Sequence, residues 1–193
     1  MISIGRISVV LMRSVARSFG LEEKYFDQLL DDRTSGGAGT VSTLRFNFYP
    51  PNTNQIPVSI AVDDGQPLSC EAHCDGSILT ILYQDQVGGL QVQMEDGRWI
   101  DVPVVPYGLV VNTGKCLERW TNGIFRAISH RVKLIKEDER LSIPFFLEPS
   151  HSTLITPLPT IKVQNKYQPI KYGQYITESN KQFKEYQRDD QNS

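Results

Sequence analysis

Three side chains in this 193-residue sequence have the types and the spacing of a metal-binding set. His73 and Asp75 lie two positions apart in the stretch CEAHCDG, and His130 follows later in AISHRVKL. Residues two apart on an extended strand point to the same side, so His73 and Asp75 can reach one ion together. Two imidazoles and one carboxylate form the facial triad that binds ferrous iron and leaves positions open for oxygen and a co-substrate. The sequence therefore predicts an iron(II) site with these three ligands.

A second pair of side chains, Arg140 and Ser142 in ERLSIPFFL, has the spacing of an anion clamp. Both would lie on one face of a strand, where the planar guanidinium can donate two parallel hydrogen bonds to a carboxylate and the hydroxyl can add another. Taken singly, a histidine is more often a packed or surface residue, and an arginine more often belongs to a surface ion pair. The functional interpretation depends on these residues occurring together.

Short β-strands are the elements expected to position these residues. Between residues 40 and about 147, β-rich runs alternate with Gly, Pro and Asn, and no helical pattern separates them. This organisation favours a sandwich or jelly roll over a parallel sheet. In the run TLRFNFYPP, strict alternation separates an apolar face from a polar one, which is expected to line an interior cavity. The apolar face carries Leu44, Phe46 and Phe48, and the polar face carries Arg45, Asn47 and Tyr49.

Helical patterns flank the β-rich region. Apolar residues in 9–30 recur at spacings of three and four, which predicts helices broken near Gly20. The composition of residues 31–40 predicts a loop. Residues 172–187 again suit a helix, with Lys181 and Lys184 on a solvated face.

These patterns divide the chain into three parts. Residues 1–30 are expected to form a helical segment and residues 40–150 a jelly-roll core. Residues 151–193 are expected to form an extension with a helix and a polar tail. The fold class predicted is thus mainly β with flanking helices.

Composition narrows the classes of partner. A formal net charge of −2 provides no broad basic field, which argues against nucleic acid and anionic membranes and favours a small-molecule substrate. The three cysteines form no CxxC pair, which predicts free thiols in a reducing compartment. Arginines interrupt the N-terminal apolar stretch, so neither a signal peptide nor a membrane span is predicted. We expect a cytoplasmic monomer.

Four blocks of the sequence, taken in order, resemble one family. NFYPP, HCDGSILTILYQDQVGGLQV, TNGIFRAISHRV and RLSIPFFL are similar to the iron- and 2-oxoglutarate-dependent oxygenases of the isopenicillin N synthase-like superfamily, over roughly residues 20–175. The resemblance implies a double-stranded β-helix, or jelly roll, that uses Fe(II), 2-oxoglutarate and O2. The residues that it implies are His73, Asp75 and His130 for iron, and Arg140, Ser142, Tyr49 and Asn47 for 2-oxoglutarate.

The resemblance also implies a reaction. Family members couple the oxidative decarboxylation of 2-oxoglutarate to the oxidation, most often the hydroxylation, of a small organic substrate, commonly in secondary metabolism. Two alternatives stay open: an oxidase of the same fold in which Arg140 binds the substrate's own carboxylate, and a truncated, inactive relative. Family members begin with a bracing region that this chain is expected to lack, which would leave apolar sheet surface exposed.

Two positions depart from the family pattern. Lys115 stands where members usually carry an aspartate after a glycine, so hydrogen bonding in that loop is expected to differ. Cys74 occupies the middle of the H-x-D motif, where threonine is frequent, and is expected to pack away from the metal. Neither position is an iron ligand.

Overall fold

The computed structural model describes residues 4–30, 39–51, 61–135 and 137–180. Within these ranges the helices are α1 Ile4–Ser18, α2 Asp27–Leu30, α3 Lys115–Trp120 and α4 Tyr172–Asn180. The strands are β1 Thr43–Leu44, β2 Asn47–Tyr49, β3 Ala61–Asp63, β4 Gln66–His73, β5 Leu79–Gln84, β6 Leu90–Gln93, β7 Trp99–Asp101, β8 Val110–Thr113, β9 His130–Lys133, β10 Arg140–Leu147, β11 Leu154–Ile155 and β12 Ile170–Lys171. The predicted mainly β fold with flanking helices is confirmed.

Two antiparallel sheets of five strands form the body of the fold. In the first sheet, β10 pairs with β1 and β2 on one side and with β5 on the other, and β5 pairs with β8. The second sheet has the order β3-β4-β9-β6-β7. Strands distant in sequence therefore become neighbours, which brings the second histidine segment beside the first.

The register of the first sheet separates an inner polar face from an outer apolar face. Tyr49 lies opposite the buried Arg140, so the polar side chains of β2 point inward. On the other face, Leu44, Phe46 and Phe48 are 49%, 68% and 59% exposed. Asn47, Phe48 and Tyr49 follow the predicted alternation. The run is not one continuous strand, however, because β1 and β2 are separated at residues 45–46, and Arg45 is exposed instead of lining the interior.

The hydrophobic core joins the helices to one end of the first sheet. Met12 of α1 and Leu117 of α3 are fully buried in it, together with Leu79 of β5. The rings of Phe26 and Trp120 pack with centroids 5.1 Å apart. Because burying one such side chain contributes about 1.5–3 kcal/mol, this cluster anchors the helices against the sheet.

The β3–β4 hairpin, which the sequence patterns did not reveal, carries the first histidine. Asp64 and Gly65 form its turn with φ values of +50° and +72°, the left-handed conformation that Asp-Gly turns adopt in tight hairpins. The alternation signal is weak in β4, because Pro67 and several polar residues interrupt it. The hairpin brings His73 to the end of β4, beside β9.

Other predictions on secondary structure have mixed outcomes. The helix break near Gly20 is confirmed, since α1 ends at Ser18 and Gly20 has a φ of +67°. The β-rich run FRAISHRVKL, residues 125–134, predicts a strand along its whole length, but β9 begins only at His130. Most of the predicted loop 31–40, and both Lys181 and Lys184, lie outside the described residues. No helix in the described part of the chain combines the length and hydropathy that a membrane crossing needs.

Candidate active site

The three predicted iron ligands converge at one point between the two sheets. His73 and His130 are direct partners across β4 and β9, and their ring centroids are 4.3 Å apart. Asp75 Oδ1 lies 3.8 Å from His73 Nε2 and 3.5 Å from His130 Nε2. One ligand atom from each residue lies within 4.8 Å of the others. Two ligands with metal bonds of about 2.1 Å lie about 3–4 Å apart, so this donor set fits one metal ion.

Backbone carbonyls fix which nitrogen of each histidine faces the metal position. Nδ1 of His73 lies 2.8 Å from the Glu71 carbonyl oxygen, and Nδ1 of His130 lies 3.2 Å from that of Ile128. A carbonyl can only accept, so Nδ1 donates in both rings, and Nε2 carries the lone pair in the neutral imidazole. Both imidazoles are therefore in the tautomer that binds a metal through Nε2.

A bulge in β4 turns His73 toward the interior. The pairing with β9 shifts register between Cys70 and His73, so these residues, three apart, both face inward. Burial acts to lower the pKa of His73, but hydrogen bonding to Cys70 and to the Glu71 carbonyl leaves that pKa above its ordinary value. Cys74 points elsewhere, with Sγ 3.9 Å from the Ala127 carbonyl oxygen, as expected for a packing residue.

Two polar side chains of the first sheet hold the Asp75 carboxylate in place. Thr80 Oγ1 donates to Asp75 Oδ2 at 2.5 Å, and Asn112 Nδ2 donates to the same oxygen at 2.8 Å. Both donors sit on the inner face of β5 and β8, directly opposite one another. Because Oδ2 is held by these donors, Oδ1 is the oxygen turned toward the histidines.

Removing one of these donors is expected to weaken iron binding. Thr80→Val keeps the shape of the side chain but leaves Oδ2 with one donor, so we expect iron(II) affinity to fall about 10–100-fold. An iron(II) titration of wild type and variant under anaerobic conditions measures the effect. Thr177→Val, at an exposed position of α4, is the matched control. Equal affinity in the Thr80 variant and the wild type would contradict this role.

The loop that carries Asp75 rests on the start of α3. Lys115 N–H donates to the Asp75 carbonyl oxygen at 2.8 Å, and Cys116 N–H donates to that of Ser77 at 3.2 Å. A Cβ at Gly114 would lie 2.1 Å from the Ser77 carbonyl oxygen. Glycine is therefore required where α3 begins. Lys115, the residue that departs from the family pattern, contacts the Asp75 loop through its backbone N–H.

Gly114→Ala is accordingly expected to destabilise the fold and to displace the Asp75 loop. The added methyl overlaps backbone atoms that cannot rotate away, so we expect a loss of about 3 kcal/mol or more in unfolding free energy. For a chain of this size that loss lowers Tm by roughly 6–12 °C. Gly5→Ala in α1 is the control, because a Cβ there meets nothing within 4 Å. Thermal unfolding that is unchanged in the Gly114 variant would contradict the close contact.

The predicted anion clamp lies on the inner face of the first sheet. Arg140 is 1% exposed; its Nε donates to the Gly88 carbonyl oxygen at 2.5 Å, and Nη1 donates to Ser142 Oγ at 3.3 Å. The ring of Tyr49 lies under the guanidinium, 4.9 Å from it. Among the described residues, no carboxylate forms an ion pair with Arg140. A guanidinium has five N–H donors and these bonds use two, so the others can bind an anion.

The glycine pair after β5 explains how Arg140 is held. Gly88 and Gly89 have φ values of +75° and +82°, a conformation that favours glycine. This turn presents the Gly88 carbonyl to Arg140, while a Cβ on Gly89 would lie 2.9 Å from the Ile135 side chain. Asp85 accepts hydrogen bonds from the backbone N–H groups of Val87 and Leu141, which ties the turn to β10.

Tyr49 and Asn47 lie beside the clamp. Burial raises the pKa of Tyr49, and the nearby Cys70 adds to the increase, so the phenol stays protonated at neutral pH and can donate a hydrogen bond. Asn47 lies opposite Ser142 in the register of β2 and β10. All seven predicted site residues thus occur on the facing surfaces of the two sheets or in the loop beside them.

Sequence patterns missed Thr80, Asn112 and Gly114, although each left a signal. Thr80 interrupts the apolar run ILTILY. Asn112 is the polar residue that directly follows the apolar run LVV. A polar residue at an inward position of an otherwise apolar strand needs a hydrogen-bond partner, which points to a site nearby. Gly114 precedes a helix that was itself not predicted, so its close contact could not be foreseen.

The fold and the donor set define a class of protein. Two antiparallel sheets that enclose two imidazoles and a carboxylate are typical of mononuclear non-haem iron oxygenases. The family model of the 2OG-Fe(II) oxygenase superfamily matches residues 40–149. The chain belongs to that superfamily, as its motifs predicted.

Known proteins similar to the chain include isopenicillin N synthase from Streptomyces clavuligerus. That protein is 38% identical over 175 residues, which cover 89% of this chain and 50% of the relative. Gibberellin 20 oxidase 4 from Arabidopsis thaliana is 30% identical over 174 residues, which cover 90% of this chain and 42% of the relative. The chain therefore spans about half the length of the curated relatives it matches.

Solved structures of the same superfamily have the same fold. A full-length Neurospora crassa protein in complex with alpha-KG matches with a TM-score of 0.74 and 29% identity, over 90% of this chain and 52% of that one. JOX2 in complex with 2OG, Fe and JA matches with a TM-score of 0.75 and 29% identity, over 90% and 48%. These likenesses confirm the predicted jelly-roll core.

Proposed function

We propose that this chain binds iron(II) through His73, Asp75 and His130 and 2-oxoglutarate through Arg140, and uses oxygen to oxidise a small organic substrate. The observation that carries the proposal is the buried Arg140 guanidinium, which has no carboxylate partner among the described residues. A buried, uncompensated charge is costly, so an anionic ligand is the expected partner. Membership of the 2OG-Fe(II) oxygenase superfamily supports 2-oxoglutarate as that anion.

Each group of site residues has a separate role in the proposed reaction. Arg140 and Ser142 bind the distal carboxylate of 2-oxoglutarate, and Tyr49 and Asn47 add donors from the neighbouring strand. Iron(II) held by His73, Asp75 and His130 would supply the redox chemistry that activates oxygen. The side chains on the inner faces of the two sheets would orient the substrate. Overall, 2-oxoglutarate, oxygen and the substrate yield succinate, carbon dioxide and a hydroxylated product.

A second candidate function uses the same clamp differently. Arg140 and Ser142 recognise a carboxylate, whichever molecule carries it. An oxidase of the same fold could bind the carboxylate of its primary substrate there and need no 2-oxo acid. The two functions differ in one measurable respect, the dependence of turnover on 2-oxoglutarate.

The similar proteins suggest the class of substrate. The Neurospora crassa protein has also been solved with thymine, and JOX2 has been solved with JA, both small molecules. We propose a small organic substrate for this chain too, in secondary metabolism, and a catalytic core that spans residues 40–150. The three free cysteines fit a reducing compartment, so we propose a cytoplasmic location. The formal net charge of −2 provides no basic field for nucleic acid or anionic membranes, and we propose a monomer that binds neither.

Oxygen uptake tests the proposal. The purified chain is titrated with iron(II), and oxygen consumption and succinate formation are measured with and without 2-oxoglutarate. We expect both to require the metal and 2-oxoglutarate together. Oxygen uptake that continues undiminished without 2-oxoglutarate would favour the second candidate, and an absence of iron binding would contradict both.

A further inference from the structure

Gln84, the last residue of β5, has a buried side-chain amide without a partner. The residue is only 6% exposed, and neither Nε2 nor Oε1 has a hydrogen-bond partner among the described residues. A glutamine amide offers two donors and two acceptor lone pairs, and such buried groups are nearly always paired in folded proteins. The amide is therefore better explained by a ligand than by the fold.

The strand register locates this amide at the arginine end of the interior. Gln84 lies directly opposite Ser142 across β5 and β10, and Asn47 lies opposite Ser142 on the other side. Opposite residues share a face of the sheet, so Gln84 is on the inner face that also carries Arg140. Its neighbour Tyr83, on the outer face, is 43% exposed.

The position of Gln84 along β5 shows how far it lies from the candidate metal position. Thr80 is also on the inner face of β5 and donates to Asp75. Four residues of an extended strand span about 13 Å, so Gln84 lies about that far along β5 from Thr80. Gln84 is thus remote from the three metal-binding side chains and close to the clamp.

We infer that Gln84 hydrogen-bonds the carboxylate that Arg140 binds, which, on the proposed function, is the distal carboxylate of 2-oxoglutarate. Nε2 has the N–H donors that a carboxylate oxygen accepts, and Oε1 can accept from the Ser142 hydroxyl or from a water. A neutral amide suits this position, because Arg140 already balances the charge of one carboxylate. Gln84 thereby favours a 2-oxo acid long enough to reach both residues over shorter ones.

The test replaces the amide with an apolar side chain of similar shape. Gln84→Met is compared with Gln93→Met, where the glutamine is partly exposed and its side-chain amide donates to the Gly97 carbonyl. Affinity for 2-oxoglutarate is measured on the iron(II)-loaded chain without oxygen. We expect Kd to rise about tenfold in the Gln84 variant and to stay within about twofold in the Gln93 variant.

Thermal unfolding of the ligand-free chain distinguishes binding from a structural role. Removing an unpaired buried amide should leave Tm unchanged or raise it, whereas a structural hydrogen bond would make Tm fall by several degrees. Gln84→Glu provides a second variant: its charge opposes the ligand, so we expect a rise in Kd of more than about 100-fold. An unchanged Kd in both variants, or a clearly lower Tm in the Met variant, would overturn the inference.

Failure of this inference and failure of the proposed function give different results. If the wild-type chain binds no 2-oxoglutarate, both are wrong. If the wild type binds it and Arg140→Lys weakens binding while Gln84→Met does not, only the role of Gln84 is wrong. Glutarate lacks the keto group but keeps the distal carboxylate. A rise in the Kd of glutarate in Gln84→Met would further confirm that Gln84 acts at the arginine end.

Discussion

His130→Ala is expected to lower the iron(II) affinity of the chain by more than about 100-fold and to abolish oxygen uptake. The variant keeps only His73 and Asp75, and two ligands rarely hold a labile ferrous ion against water. The other two single alanine variants, at His73 and Asp75, are expected to behave alike. Iron(II) titration under anaerobic conditions gives the number of ions bound per chain and the affinity.

The third histidine of the sequence provides the control. His151 is exposed and lies outside the His-Asp-His cluster, so His151→Ala should bind iron(II) as the wild type does. Comparing the two variants separates loss of a ligand from loss of any imidazole. Unchanged iron stoichiometry in all three ligand variants would show that the cluster is not the metal site.

Arg140→Lys is expected to raise the apparent KM for 2-oxoglutarate by at least about tenfold while iron(II) binding stays nearly intact. Lysine keeps the positive charge, but an ammonium cannot donate two parallel hydrogen bonds to a carboxylate. It also loses the contacts that fix the guanidinium between Gly88 and Ser142. The measurement pairs KM for 2-oxoglutarate with iron(II) affinity in each protein.

Arg98→Lys is the matched control for this substitution. Arg98 is exposed and pairs with Asp96, so replacing it should change neither constant. If Arg140→Lys instead weakens only the primary substrate, and turnover needs no 2-oxo acid, the oxidase function replaces the one proposed here. Equal loss of iron binding would mean that Arg140 supports the fold around the metal position.

The grouping of the site side chains could be predicted, because it depends on their spacing along single strands. Two residues apart on a strand means one face, and this rule brings Arg140 and Ser142 into hydrogen-bond contact. The alternation in TLRFNFYPP likewise predicted that Tyr49 faces inward, and its ring lies beside Arg140. Predictions of this kind need only local geometry.

Features that depend on distant contacts were not predictable. The segment 125–129 has a strand-like composition, but Phe125 packs edge-on against Phe19, just after α1, and the Ala127 N–H bonds to Glu118 of α3. These tertiary contacts outweigh the local preference for β structure. The start of α3 also depends on a distant contact, because Gly114 is required by the backbone of Ser77, 37 residues earlier in the chain.

The orientation of the metal-binding side chains also depends on structure beyond the motif. The H-x-D spacing predicted that His73 and Asp75 could converge, but the bulge in β4 turns the histidine inward. The aspartate is oriented by Thr80 and Asn112, on two other strands. The motif predicts the candidate ligands, whereas the first sheet orients the carboxylate.

We propose that one interior holds iron(II) at the His-Asp-His cluster and a carboxylate at Arg140 at the same time. The measurement that tests it most directly is the Kd of 2-oxoglutarate without oxygen, determined with and without saturating iron(II). A ligand that contacts both ends must be coupled to the metal, so we expect iron(II) to tighten binding at least about tenfold, and 2-oxoglutarate to tighten iron(II) by the same factor. Equal affinity with and without the metal, or no binding in either case, would contradict the claim.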